Sequence, residues 1–190
     1  MRKTLFCVLM MLLLLSGCGA GGGGDRAQDL ALTIRGEYLA LESWTANCTV
    51  TADYGQRVYV YGITAAQTGE ELVLTITSPE TAAGVTARLS GEKGLLEYDG
   101  TILETGPLDG DGLSPVSALP ALMEAARKGY IDSCALDESL MILCRDPEKA
   151  PGEGTETSLW FDPETHALLR GEIALDGFTV IQCEFENFVH

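Results

Sequence analysis

The spacing of apolar residues predicts a helix near the start of the chain and strands after it. From Asp25 to Glu42 apolar side chains recur at helical intervals, which indicates a helix with one buried face and Asp25 at its N-terminus. After Ser43 the period changes to two, as in half-buried strands. The alternation is interrupted by turn sequences such as Asp99-Gly100, and it predicts an antiparallel meander of six strands up to Thr105.

A second helix is predicted to divide the strands into two runs. Ser114-Pro115 is a typical helix start and follows the polar, glycine-rich segment 106–113. The helical spacing after it ends near Lys128. Five more strands are predicted between Tyr130 and Val189, which brings the total to eleven.

Several of the predicted strands are apolar on both faces. Val58 and Val60 alternate with tyrosines, and the segment from Leu140 to Leu143 is wholly apolar. A sheet with one solvated face needs only one apolar row per strand. We therefore predict a mainly β (α+β) fold. It consists of a strongly curved antiparallel sheet of about eleven strands, an incomplete barrel, with an N-terminal helix and a helix inserted after the sixth strand.

The first eighteen residues predict export and lipid anchoring. Arg2 and Lys3 precede an unbroken apolar run, Leu5 to Leu15, which is too short to span a bilayer and typical of a signal peptide. The following Ser16-Gly17-Cys18 completes a sequence that resembles the bacterial lipobox, whose cysteine is acylated and becomes the mature N-terminus. We therefore predict a signal peptide at residues 1–17, acylated Cys18 with a glycine-rich tether at 18–24, and one domain at 25–190.

The charge of the chain excludes some classes of partner. The net charge is −16, and it becomes −18 when the predicted signal peptide removes Arg2 and Lys3. A nucleic-acid binder needs a basic surface that releases counterions, so we expect no nucleic-acid partner. Electrostatic attachment to an anionic lipid surface is disfavoured for the same reason, so the membrane contact is expected to run through the lipid anchor alone.

The sequence offers no convincing catalytic or metal-binding pattern. The two histidines are His166, predicted in a turn, and His190 at the terminus, so neither is expected to be fixed in a cleft beside a nucleophile. Cysteines and histidines do not show the spacing of metal ligands. We therefore expect a protein that is not an enzyme and has no metal and no cofactor.

Short motifs along the chain add a family resemblance. Ser78-Pro79 before Gly84, and later Tyr98-Asp99-Gly100, are similar to hairpins of the LolA/LolB superfamily. Ser158–Thr165 (SLWFDPET) resembles a strand end of that family, and Asp176-Gly177 to Phe188 resembles its closing hairpin. These motifs, the lipobox and the order of elements together make the chain resemble the clostridial GerS-type germination lipoproteins most. The resemblance implies a LolA-like domain, anchored by fatty acids such as palmitate on the extracytoplasmic face of the cell membrane.

The resemblance leaves two functions to compare. The carriers of the superfamily are soluble, whereas this chain is predicted to stay acylated, which favours a GerS-like scaffold that docks on or regulates a cell-envelope protein. The alternative is a lipid or other hydrophobic ligand in the concave cavity of the sheet. The candidate cavity residues are Trp44, Tyr59, Tyr61, Leu119, Leu122 and Met123. The same side chains would equally serve to fill the cavity, and a homodimer is left open.

Four cysteines remain in the predicted mature domain, which raises the question of disulfides. A hairpin that turns at Ser139 would place Cys134 opposite Cys144, within disulfide range. Cys48 and Cys183 would meet if the first and last strands are neighbours. We therefore expect Cys134–Cys144 and Cys48–Cys183, with four reduced, buried thiols as the alternative.

Replacement of Cys18 tests the predicted anchor. Cys18→Ala should abolish acylation and leave the precursor uncleaved at that site, because the thiol is the attachment point of the lipid. Metabolic labelling with a fatty acid measures the outcome. Label that persists in the variant would contradict the assignment.

Overall fold

The computed structural model describes residues 22–91, 93–108 and 110–190. The predicted signal peptide, Cys18 and the first part of the tether lie outside the described residues. Helix α1 spans Gly22–Ala40, so it begins and ends slightly earlier than predicted. The strands of the first run are β1 (Ser43–Asp53), β2 (Val58–Thr68), β3 (Glu71–Ser78), β4 (Thr86–Ser90), β5 (Lys93–Tyr98) and β6 (Thr101–Glu104). Helix α2 (Pro115–Lys128) is followed by β7 (Ile131–Leu136), β8 (Leu140–Arg145), β9 (Thr155–Phe161), β10 (Leu168–Leu175) and β11 (Phe178–Val189).

The eleven strands form one antiparallel sheet in the order β6-β5-β4-β3-β2-β1-β11-β10-β9-β8-β7. The first strand pairs with the last, for example Ala52 with Ile181, and this seam joins the two runs of strands. β6 and β7 are the two edges, so the curved sheet stays open. The predicted fold class is confirmed, including the helix inserted after the sixth strand.

Alternation along β1 defines the concave face of the sheet. Its alternate residues from Trp44 to Ala52 are buried, whereas those between them face outward. Because directly paired residues share a face, Ile63 and Ala65 of β2 and Leu74 of β3 continue this buried row. Both helices lie on the concave face, with α1 along β7 and α2 across β9, β10, β11 and β1.

Helix α2 begins where its sequence predicts. The Ser114 hydroxyl accepts a hydrogen bond from the Ser117 amide at 3.2 Å, and the Ser117 hydroxyl accepts one from the Ser114 amide at 3.1 Å. This reciprocal capping satisfies two amides that the first helical turn leaves without partners. Pro115 follows at the first helical position, where its missing N–H costs nothing.

The apolar side of α2 packs directly on the sheet backbone. Leu119, Leu122 and Met123 are buried. A Cβ added at Gly171 of β10 would lie only 2.6 and 2.7 Å from the two terminal carbons of Leu122. A side chain at position 171 would therefore force Leu122 to move. Because residue 171 is glycine, Leu122 packs directly on the backbone of β10.

Polar contacts tie α2 to α1. The Arg127 Nε donates to the Tyr38 carbonyl at 3.1 Å, and the Arg35 guanidinium donates to the carbonyl of Gly129. The Tyr38 ring packs edge-on against Phe161 with centroids 5.3 Å apart, and its hydroxyl donates to the His166 carbonyl. Burial raises the pKa of Tyr38 far above its usual range, so it remains a neutral donor. No helix in the described part of the chain is both long and apolar enough to cross a membrane.

Candidate functional site

The structure separates the six predicted cavity residues into two groups. Trp44 lies in the packed core together with Leu119, Leu122 and Met123. The Trp44 Nε1 donates to the Gln67 side chain at 2.6 Å, and its ring stacks on Phe188 with centroids 5.6 Å apart. These four residues are therefore core residues and do not line an open cavity. A separate cleft of about 250 Å³ lies on the same face between α2 and β4, with Leu89, Pro120 and Ala121 in its lining.

Tyr59 and Tyr61 lie on the same face but are less covered. Their partners across the strand pair are Ala52 and Val50, both of which are buried. Tyr61 is half-buried and Tyr59 is 37% exposed, and both lie towards the end of the sheet where β1 turns into β2. Their strand and face agree with the prediction, but they do not enclose a cavity with Trp44.

An exposed apolar surface lies at that end of the sheet. We call it the apolar rim and define it by Tyr54, Tyr59, Leu113, Leu175 and Phe178. The β1–β2 turn and the β10–β11 turn are brought side by side because β1 pairs with β11. Phe178 is 77% exposed and Tyr54 48% exposed.

Hydrogen bonds and ring contacts fix the positions of the rim residues. The Tyr54 hydroxyl donates to the Leu113 carbonyl at 2.9 Å, and the rings of Tyr54 and Tyr59 are 6.1 Å apart. Partial burial, and then the neighbouring Tyr61 and Tyr59, raise the pKa of Tyr54, so its phenol remains a donor at neutral pH. The tight Asp176-Gly177 turn holds Phe178 at the start of β11.

The segment before α2 is packed against the sheet, which fixes Leu113. Gly112 has φ +71°, and a Cβ there would lie 2.5 Å from the Ala121 Cβ and 2.7 Å from the Ile173 Cδ1. A larger residue at this position would push the segment off α2 and β10. Leu113 therefore reaches the rim from a defined position.

A mostly apolar cleft of about 490 Å³ runs between the rim residues. Its lining comprises Asp53, Tyr54, Gly55, Leu113, Leu175, Phe178, Thr179 and Val180. Large apolar side chains exposed next to a cleft are typical of an interaction site. The sequence analysis missed this cleft; its only local signal was Asp176-Gly177 between Leu175 and Phe178.

The edge strand β6 is a second exposed surface. All four of its residues are exposed, with Ile102 at 62% and Leu103 at 60%. Among the described residues no strand pairs with its outer edge, whereas α1 packs along the other edge strand, β7. An open edge with apolar residues is available for pairing with an extended segment.

His166 and the turn at Asp162–Thr165 are held in place by local contacts. His166 has φ +60° in its turn, as predicted, and its Nδ1 lies 2.7 Å from the Glu37 carboxylate. The Asp162 carboxylate accepts from the amides of Thr165 at 2.7 Å and Glu164 at 2.8 Å, which lowers its pKa. Among the described residues no group of three or more His, Cys, Asp and Glu side chains could hold a metal.

The four cysteines of the domain are free thiols. Their positions relative to one another agree with the prediction only in part. Cys134 lies opposite Ile142 and Cys144 opposite Ile131, so the expected direct opposition of Cys134 and Cys144 is wrong. The β7–β8 hairpin closes at Leu136 and Leu140 and is centred on Glu138 instead of Ser139, which shifts the register.

The other expected pair does meet. Cys48 and Cys183 lie diagonally across the β1–β11 seam, because Cys48 is paired with Phe185 and Cys183 with Val50. The Cys48 thiol and burial raise the pKa of Cys183. Oxidation to a Cys48–Cys183 disulfide stays a prediction.

No family model matches the chain, and no curated protein matches it. Solved structures with a similar fold include a conserved protein from Thermus thermophilus, 10% identical, with a TM-score of 0.52 and 87% of each chain covered. A LolA superfamily protein from Nitrosomonas europaea is 10% identical with a TM-score of 0.45, over 85% of this chain and 92% of that one.

The structure of the CwlD amidase from Clostridioides difficile in complex with the GerS lipoprotein is also similar. Its matching chain is 11% identical with a TM-score of 0.47, over 86% of this chain and 95% of that one. Proteins of the superfamily that the sequence resembles are thus found among similar solved structures. The likeness concerns the fold alone.

Alkylation of the folded domain tests the placement of the thiols. Half-buried Cys134 should react first with iodoacetamide, because burial raises the pKa of Cys144, and the contact with Cys48 together with burial raises that of Cys183. A raised pKa leaves less reactive thiolate at a given pH. Quenched alkylation followed by peptide mass spectrometry measures the order.

A non-reducing digest of the same protein after oxidation reports the pairing. We expect a Cys48–Cys183 peptide that is lost in a Cys183→Ser variant. A Cys48–Cys134 peptide, or protection of Cys134 while Cys144 and Cys183 react, would contradict the described packing.

Proposed function

We propose that this protein is a lipid-anchored lipoprotein of the cell envelope that docks a protein partner and acts as a regulatory scaffold without catalysis. The anchor is Cys18, and the domain lies on the extracytoplasmic face of the membrane. A permanent tether suits docking on a neighbouring protein better than shuttling between membranes. The acidic surface keeps the domain away from anionic lipids, which leaves its surfaces free for a partner.

The burial of the apolar side of α2 against the sheet is the observation that carries this proposal. Leu119, Leu122 and Met123 of α2 are buried in the core, so these side chains are not available to line a ligand cavity. Large apolar side chains are instead exposed at the apolar rim and along β6. Exposed apolar surface of this kind is typical of sites that bind a second macromolecule.

The alternative, a lipid or other hydrophobic ligand in the concave face, requires α2 to leave the sheet. Each large apolar side chain of α2 would then lose about 1.5–3 kcal/mol of burial before the ligand replaces it. The hydrogen bond from Arg127 to the Tyr38 carbonyl, which joins α2 to α1, would also have to break. Docking needs no such rearrangement.

Native mass spectrometry of the protein released from membranes in mild detergent distinguishes the two functions. Docking predicts a second polypeptide on the acylated protein and no other retained lipid, because the apolar side of α2 is already buried against the sheet. The denatured sample is the control, since covalent acyl chains survive denaturation and a bound ligand does not. A non-covalent mass of a few hundred daltons in place of a polypeptide would support the ligand alternative and contradict docking.

A further inference from the structure

The apolar rim combines exposed aromatic residues with a cleft and with acidic side chains. Asp53 lines the cleft, and Asp176 lies in the turn between Leu175 and Phe178. Each carboxylate accepts one amide hydrogen bond at 2.8 Å, from Gly55 and from Gly154 respectively, and these bonds hold the acids in their turns. The rim is therefore an apolar cleft with fixed negative charge beside it.

We infer that the apolar rim is the docking surface, and that its occupant is a protein segment that inserts one large apolar side chain into the cleft and carries Lys or Arg next to it. This inference rests on the proposed function and specifies the surface and the chemistry of the partner. Buried apolar anchors surrounded by a polar, solvent-accessible rim are typical of protein interfaces.

The shape of the rim fits a protein segment better than a small ligand. A small-molecule pocket encloses most of its ligand, whereas Phe178 and Tyr54 project outward and remain 77% and 48% exposed. A partner surface that covers the rim would bury both rings together with the cleft. The Tyr54 contact with Leu113 keeps one wall of the cleft in place before binding, so little ordering is required.

The charge of the chain favours a basic partner over a second copy. The net charge of −16 becomes −18 without Arg2 and Lys3, and a second copy would bring the same excess of acid to the rim. Several basic side chains are paired with carboxylates within the domain, including Arg145 with Asp132 at 2.6 Å and Arg88 with Glu71 at 3.7 Å. One basic side chain, Arg57, lies beside the rim residue Tyr59, as against the two acids Asp53 and Asp176. Complementary charge accelerates association and rejects acidic competitors.

Site-specific photo-crosslinking in the producing cells tests this inference. A benzophenone amino acid is placed at Phe178, at Leu39 on the outer side of α1, which is 55% exposed, and at Leu103 on β6, which is 60% exposed. After irradiation, the crosslinked peptides are sequenced by mass spectrometry. We expect a protein adduct at Phe178 alone, on a segment with Lys or Arg within a few residues of the crosslinked position.

A charge variant provides the second measurement. Asp53→Asn with Asp176→Asn keeps an oxygen acceptor for each turn and should lower the yield of the Phe178 adduct several-fold. The matched control Asp137→Asn, in the exposed β7–β8 turn, should leave the yield unchanged. An unchanged yield in the double variant would overturn the charge requirement and with it the inference.

The outcomes separate this inference from the proposed function. Protein adducts at Leu39 or Leu103 but not at Phe178 would overturn the rim as the docking surface while docking itself stands. An adduct with lipid, with a second copy of this chain or with an acidic segment would also overturn the inference. Absence of protein adducts at all three positions would contradict the proposed function as well.

Discussion

The contact between Leu122 and the backbone at Gly171 is the constraint on which the rest of the structure depends. It allows α2 to lie directly on β10, with its apolar side chains buried against the sheet. With α2 in this position, Arg127 reaches the C-terminal end of α1, and the segment before the helix places Leu113 at the apolar rim. The close approach of α2 to β10 thus buries the apolar side of α2 and also positions Leu113 at the apolar rim.

The pairing of β1 with β11 connects the strands under α2 to the rest of the sheet. It joins the strands before α2 to those after it, and it brings the β1–β2 and β10–β11 turns together. Tyr54 and Phe178 are far apart in the chain and meet only because these turns are neighbours. The rim is therefore a product of the topology, and its geometry depends on the same packing that closes the interior.

Much of the fold could be predicted from the sequence because local chemistry determines it. The change of period at Ser43 marks β1, and the Ser114-Pro115 pair marks the start of α2. The position of Cys134 opposite Ile142 could not be predicted from the sequence. When the hairpin centre moves from Ser139 to Glu138, each residue faces a partner two positions earlier. Its side chain stays on the same face of the sheet, so the apolar pattern is the same for both registers. The exposure of Tyr59 depends on which side chains of distant segments cover the end of β2, which no local pattern encodes.

A double-mutant cycle between Leu122→Ala and Gly171→Ala tests the central claim most directly. Alone, the first variant should lose about 2–5 kcal/mol of unfolding free energy by leaving a cavity, and the second about 1–3 kcal/mol by overpacking. In the double variant the new methyl group occupies space that Leu122 has left, so the combined loss should fall short of the sum by about 1 kcal/mol or more. Denaturant unfolding measures all four proteins. Losses that add within about 0.5 kcal/mol would show that Leu122 does not lie on Gly171, and would contradict the packing of α2 on the sheet.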